Sequence, residues 1–222
     1  MRLRNIKGAK KKLRDHPDDV VSDPSSKQGK WQDVFGNNHP IHLEIGCGKG
    51  QFIVAMANDH PEVNFLALEK YDSVLLRVLE KQLEETLPNL KLIRVDARHI
   101  RSFFSDGEID GVYLNFSDPW PKHRHAKRRL THMGYLKRYR EIIKNGGFIR
   151  QRTDQFSLFE FSIDQFIRCP WLEIEALSLD LHRDKDINHT TEFEDKFIQE
   201  GKRIFYAALT VIKGVKSHEK NL

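Results

Sequence analysis

With 222 residues and 39% hydrophobic side chains, the chain can bury a full core, and it suits one α/β domain with a short extension better than two domains. Fifteen of its 37 Lys and Arg residues fall in two acid-free blocks, seven in residues 1–14 and eight in residues 121–140, leaving 22 basic against 32 acidic residues elsewhere, the footprint of a protein that meets a polyanion. Two distant cysteines, Cys47 and Cys169, exclude a cysteine-rich zinc site, no apolar stretch is long enough for a membrane span, and the cationic N-terminus lacks the apolar segment of a secretory signal, so a cytoplasmic protein is expected.

Residues 1–30 are polar, with Pro17, Pro24, Ser25, Ser26 and Gly29, and read as a basic N-terminal arm. The apolar spacing of Trp31, Val34 and Phe35 before Gly36 predicts a short helix. A buried strand follows at 41–45, a helix at 51–58 and a second strand at 63–68. A helix over 73–86 places Val74, Leu75, Val78, Leu79 and Leu83 on one face and is broken by Pro88 and Asn89. Strands are predicted at 90–95 and 109–116, the latter apolar enough to be covered on both faces. A helix over 133–144 stops at Gly146-Gly147, and then come a strand at 148–152, a helix at 156–168, and strands at 172–179 and 204–212. Repeated βα units imply a doubly wound, mostly parallel, seven-stranded sheet. The last two strands have no clear helix between them, which leaves room for an antiparallel pair. The expected organisation is an arm (1–30), one α/β domain (31–213) and a tail (214–222).

In such sheets ligands bind at the carboxyl ends of the strands. Four features fall there: the turn Glu44-Ile45-Gly46-Cys47-Gly48-Lys49-Gly50, then Glu69, Asp96 and Asp118. Gly46 and Gly48 let backbone approach a ligand closely. A phosphate-binding loop is disfavoured, because Lys49 is followed by Gly50 rather than Ser or Thr. A dinucleotide is disfavoured by sign, since its pyrophosphate would face four carboxylates. S-adenosylmethionine, a sulfonium cation without phosphate, suits that ring of acids.

The segment Leu114–Arg129 (LNFSDPWPKHRHAKRR) is the densest in the chain. Its prolines predict an extended run off the strand end rather than a helix. Trp120 offers a flat face, for core packing or for stacking on a base, and the cations suit phosphates. His123 and His125 have no third ligand in view for a metal. Thr191–Glu194 has the pattern of a helix capping box, and Asp154 reads evenly as a turn residue or a ligand contact.

With EIGCGKG at 44–50, TEFE at 191–194 and Arg2, Arg4, Lys7, Gly8 and Ala9 at the N-terminus, the run YLNFSDPWPK-x-RH-x-KRR resembles the bacterial tRNA (guanine-N7)-methyltransferase family over essentially the whole chain. The resemblance implies the Rossmann-like fold of class I S-adenosylmethionine-dependent methyltransferases, tRNA as partner with a variable-loop guanine as target, and no metal. Glu44, Glu69, Asp96 and Asp118 would contact the cofactor, with Asp118 also catalytic. Arg124, His125, Ala126, Lys127, Arg128 and Arg129 would touch RNA. Lys122, Asp154, Thr191, Glu192, Phe193 and Glu194 would hold the nucleoside. The chain departs from the family pattern at His123 (usually Lys), at Gln151–Gln155 (QRTDQ for FKTDN) and at His189-Thr190 (for Val-Met). Rival readings are a methyltransferase acting on ribosomal RNA or a base amine, a non-catalytic RNA-binding protein, and an NAD-linked oxidoreductase. Either a monomer or a homodimer is compatible with the sequence.

Overall fold

The computed structural model describes residues 6–214. Arg2 and Arg4 of the basic block, and the tail beyond Gly214, lie outside the described residues. In chain order the elements are α1 (Ala9–Arg14), β1 (Val20–Val21), α2 (Trp31–Phe35), β2 (Ile41–Ile45), α3 (Gln51–Asp59), β3 (Asn64–Glu69), α4 (Asp72–Glu85), β4 (Leu90–Arg94), β5 (Ile109–Asn115), α5 (Met133–Ile142), β6 (Ile143–Thr153), α6 (Phe156–Ile167), β7 (Leu172–Ser178), α7 (Leu181–Asp184), α8 (Glu192–Gln199) and β8 (Phe205–Val211). Short 3-10 segments cover Pro24–Lys27, Ala97–Ser102 (kinked at His99) and His123–Arg128.

The strands form one sheet in the order β1-β4-β3-β2-β5-β6-β8-β7. It has eight strands where the sequence pattern predicts seven. The addition is Val20–Val21, which pairs in parallel with Leu92–Ile93 and is too short to show a period. All pairs are parallel except those of β8, which runs antiparallel between β6 and β7. The chain order reverses at β2, whose neighbours are β3 and β5, and this switch point opens a crevice at the strand ends.

Alternation along each strand feeds two cores, one per face. Leu66 and Leu68 of β3 join Trp31, Phe104, Leu136, Tyr139 and Phe166 on one side. Phe65 and Ala67 join Ile53, Leu75, Val78, Leu79 and Leu92 under α3 and α4 on the other. Trp31 is fully buried and its indole N–H donates to the Phe103 carbonyl at 2.8 Å. In α4 the sequence places Leu83 on the core face, but Leu83 is exposed and Gln82 is buried instead. One turn on from Leu75 and Leu79, the position at 82 meets carbonyls rather than apolar groups. The Gln82 amide donates to the Leu90 carbonyl at 2.8 Å and to Asp19 at 3.0 Å, which an apolar side chain there would leave unmet.

The N-terminal segment folds against this second core: Ala9 and Leu13 of α1 are buried, while Lys10, Lys11, Lys12 and Arg14 are exposed on its outer side. Helix α5 ends at Ile142, two residues before the predicted stop, and β6 begins at once. No helix among the described residues is long and apolar enough to cross a membrane.

Candidate active site

Strand β2 delivers Glu44 to the switch point and turns into α3 through Gly46, Gly48 and Gly50, all with positive φ (78°, 57° and 84°). The amides of Gly46 and Cys47 are tied to the Leu68 carbonyl at 2.8 and 3.2 Å, which fixes the turn to β3. A Cβ on Gly50 would lie 2.7 Å from Val78, so glycine is what lets α3 start against α4. At Gly46 and Gly48 nothing lies within 4 Å of a Cβ position, and the backbone there faces open space. The Cys47 thiol is buried, and burial and the nearby Glu44 and Glu69 charges push its pKa up, which removes it as a nucleophile.

The Glu44 carboxylate is buried and accepts a 2.8 Å hydrogen bond on Oε1 from the Asn115 amide at the end of β5. Among the described residues no donor meets its Oε2 or the Oδ1 of Asn115, both of them buried acceptors. Burial is the main reason the Glu44 pKa rises to about 7, opposed by Asn115 and reinforced by Glu192 and Glu69. Glu69, ending β3, accepts the backbone N–H groups of Lys70 (2.7 Å) and Tyr71 (3.1 Å). Burial raises its pKa against those bonds, with a further push from the Asp118 charge. Glu44, Glu69 and Asp118 are therefore in electrostatic contact as a chain of acids around the crevice.

Asp96 stands apart in its chemistry. It caps the 97–102 turn by accepting from the Arg98 amide at 2.9 Å, and it pairs with Lys70 at 3.2 Å and the Arg98 guanidinium at 3.0 Å. Burial works to raise its pKa, but Arg98 and Lys70 outweigh it and hold the carboxyl well below the usual carboxylate range. Its charge is thus already balanced.

Asp118 is exposed, in a loop whose backbone is strained on either side. Phe116 and Trp120 hold left-handed φ values of 49° and 42°, which cost about 1–3 kcal/mol each in a non-glycine residue. The loop carries no helix up to Lys122, but the expected extended run is not kept: Phe116 and Trp120 turn the backbone left-handed, and His123–Arg128 forms a 3-10 turn. Lys122, His123, Arg124, Lys127 and Arg128 are exposed, while His125 and Ala126 are half-buried. The Trp120 ring is covered by the Arg128 guanidinium at 4.8 Å and met edge-on by His125 at 5.7 Å. Arg129 differs from its neighbours: it is buried, donating to the carbonyls of Pro119 (3.0 Å) and Trp120 (3.2 Å) and lying 4.3 Å over the Phe161 ring. Among the described residues no group of His, Cys, Asp or Glu is arranged to hold a metal ion.

Helix α8 forms the remaining wall. Thr191 caps it, its hydroxyl accepting from the Glu194 amide at 3.0 Å. The reciprocal half of the capping box is replaced, because the buried Glu194 carboxylate accepts from Arg152 (3.0 Å) and meets His182 (2.7 Å). Glu192 pairs with Lys81 at 2.9 Å, and Gln51 donates to Asp195 at 2.6 Å, so α8 is tied to α3, α4 and β6 at once. Phe193 is exposed, and Asp154 accepts from Gln155 at 2.6 Å and lies 3.8 Å from Lys202. Asn115, Gln51 and Arg98 were not singled out by the sequence pattern. Only Asn115 left a signal, as an amide closing an otherwise apolar strand.

Three kinds of comparison bear on this geometry. The family described as putative methyltransferase matches residues 38–207. The tRNA (guanine-N(7)-)-methyltransferase of Geobacillus thermodenitrificans is 48% identical over 206 residues, covering 92% of this chain and 95% of that protein. Its counterpart in Lactococcus lactis subsp. cremoris is 46% identical over 208 residues, covering 92% and 95%. Among solved structures, the 16S rRNA methyltransferase KamB superposes with a TM-score of 0.64 at 11% identity, over 83% of this chain and 93% of that one. A putative methyltransferase from Streptococcus mutans in complex with SAH gives 0.54 at 13% identity, over 79% and 90%. At these identities the two structures speak to the fold alone.

Proposed function

The chain belongs to the tRNA (guanine-N(7)-)-methyltransferase family, and on that footing we propose that it transfers the methyl group of S-adenosylmethionine to N7 of a guanine in the tRNA variable loop. The observation that carries the cofactor half of this reading is the pair of donorless buried acceptors, Glu44 Oε2 and Asn115 Oδ1, beside a glycine turn open on its outer side. Buried acceptors without partners are expensive, and a cationic, hydrogen-donating ligand relieves both. Glu44, Gly46, Gly48, Glu69, Asp96 and Asp118 are the residues that would hold it, with Asn115 added by the structure.

The cofactor, when bound, supplies a methyl group already activated by a sulfonium centre. Guanine N7 has a free lone pair and no proton, so no general base is needed at the nucleophile. What the protein contributes is alignment, worth roughly 7–11 kcal/mol in well-oriented systems. Methylation leaves the purine cationic, and the Asp118 carboxylate, fixed in advance by its strained loop, stabilises that charge. Lys122, Asp154, Glu192 and Phe193 hold the nucleoside, with the buried Thr191 and Glu194 fixing the start of α8 behind them, and the exposed cations Arg124, Lys127 and Arg128 hold the RNA backbone. In a regular A-form helix N7 lies in a deep, narrow groove, which is why a loop guanine is the accessible target. The protein acts as a monomer or a homodimer without a metal.

The test is tritium transfer from labelled S-adenosylmethionine to unmodified tRNA, followed by nucleoside analysis. The expected product is 7-methylguanosine, and label in any other nucleoside overturns the assignment. Asp118→Asn should lower the single-turnover rate at saturating tRNA about 10²-fold, in the range of losing one charge-stabilising group. An unchanged rate removes Asp118 from the chemistry.

A further inference from the structure

We infer that Arg129 is a positioning residue for Asp118, an internal brace of the catalytic loop and not a contact for RNA phosphate. It ends a run of basic residues and by sequence looks like the others. The structure separates it. Lys127 and Arg128 are exposed, whereas only 9% of the Arg129 surface is accessible.

Its guanidinium uses two different donors on two consecutive carbonyls. Nε binds the Pro119 oxygen at 3.0 Å and an Nη binds the Trp120 oxygen at 3.2 Å. These are the two residues that follow Asp118. The plane of the cation rests 4.3 Å from the centre of the Phe161 ring on α6, so the loop is clamped to the body of the domain. Trp120 is the residue with φ of +42°, a conformation that persists only where surrounding contacts over-determine it. Arg129 supplies such contacts, because removing it leaves two carbonyls without donors and frees Trp120 to relax toward negative φ. That relaxation would swing the backbone two residues from Asp118. A lysine cannot substitute, since one ammonium has neither the planar fork nor the stacking face.

This inference rests on Asp118 acting in the reaction, and one of its readouts does not. Arg129→Ala and Arg129→Lys are compared with Arg124→Ala, a residue on the exposed side of the loop. Three quantities are measured: the single-turnover rate at saturating tRNA, the slope of log K against log salt for tRNA binding, and acrylamide quenching of tryptophan fluorescence. Trp31 and Trp171 are buried, so added quenching reports Trp120. The brace predicts that both Arg129 variants lose on the order of 10²-fold in rate, as displacements near 1 Å do. It predicts an unchanged salt slope, and increased quenching with or without substrate. Arg124→Ala should instead lower the slope by about 0.7–0.9 with quenching unchanged. If Arg129→Ala lowers the slope by that amount while Arg129→Lys keeps normal rate and quenching, Arg129 is a phosphate ligand and the inference is wrong. Normal quenching in both variants also overturns it. Increased quenching with a normal rate would show that Arg129 braces the loop without positioning Asp118 and would overturn the inference, while the Asp118→Asn rate reports separately on Asp118 itself. Should the alanine variant fail to fold, the lysine variant alone decides between these outcomes.

Discussion

Glu44→Gln isolates the most unusual electrostatic feature of the site. The Glu44 carboxyl has its pKa raised from an ordinary 4.5 to about 7 by burial. Between those values the folded protein holds a proton that the unfolded chain has lost, so stability is fully present below pH 4.5 and is lost as pH rises through 7. At 1.36 kcal/mol per pKa unit, the displacement amounts to roughly 3 kcal/mol at alkaline pH. Glutamine stays neutral, so the variant escapes that loss. With about 2–4 °C per kcal/mol for a chain of this length, Tm of the variant relative to the parent should climb by several degrees between pH 5 and pH 8.5. Glu69 is also raised, chiefly by burial, and that part is common to both proteins and cancels in the difference. Cofactor binding should show the opposite preference. A cation against Oε2 requires the ionised carboxylate, so titration calorimetry near pH 7 should detect proton release as a dependence of the heat on buffer ionisation enthalpy, and Glu44→Gln should abolish that dependence while weakening binding. A Tm difference that stays flat across this pH range would refute the buried-carboxylate reasoning, whatever the activity of the variant.

Two further outcomes are expected. Arg124→Ala combined with Lys127→Ala should cut the salt slope of tRNA binding by about 1.4–1.8, at 0.7–0.9 for each phosphate contact, leaving the rate at saturating tRNA near normal; filter binding across a salt series checks this. Gly50→Ala should destabilise by roughly 2–4 kcal/mol in denaturant unfolding, combining a left-handed φ of 84° with a Cβ placed 2.7 Å from Val78.

The sequence determined the architecture because its signals are local. Period-two and period-3.6 runs mark β2 to β8 and the main helices, and glycines and prolines mark their ends. The acids at the strand ends follow from the same reading, since a strand's last residue and the next turn are adjacent in the chain. The cationic loop is legible for the same reason. Tertiary structure alone decided what depends on neighbours remote in sequence. Val20–Val21 becomes a strand only because β4 offers an edge, and Gln82 is buried only because carbonyls of Leu87 and Leu90 meet it there. Glu194 leaves its expected place in the capping box for Arg152 and His182, and Asp96 is neutralised by Lys70 and Arg98, while Glu44 has no ion-pair partner among the described residues and feels Arg152 only through space. Arg129 and Arg128, adjacent and identical in type, point to opposite fates, one inside the loop and one outside. Residue type fixes which charges the chain carries. Burial and the partners brought by the fold fix which of them are spent on the protein itself and which remain for a ligand.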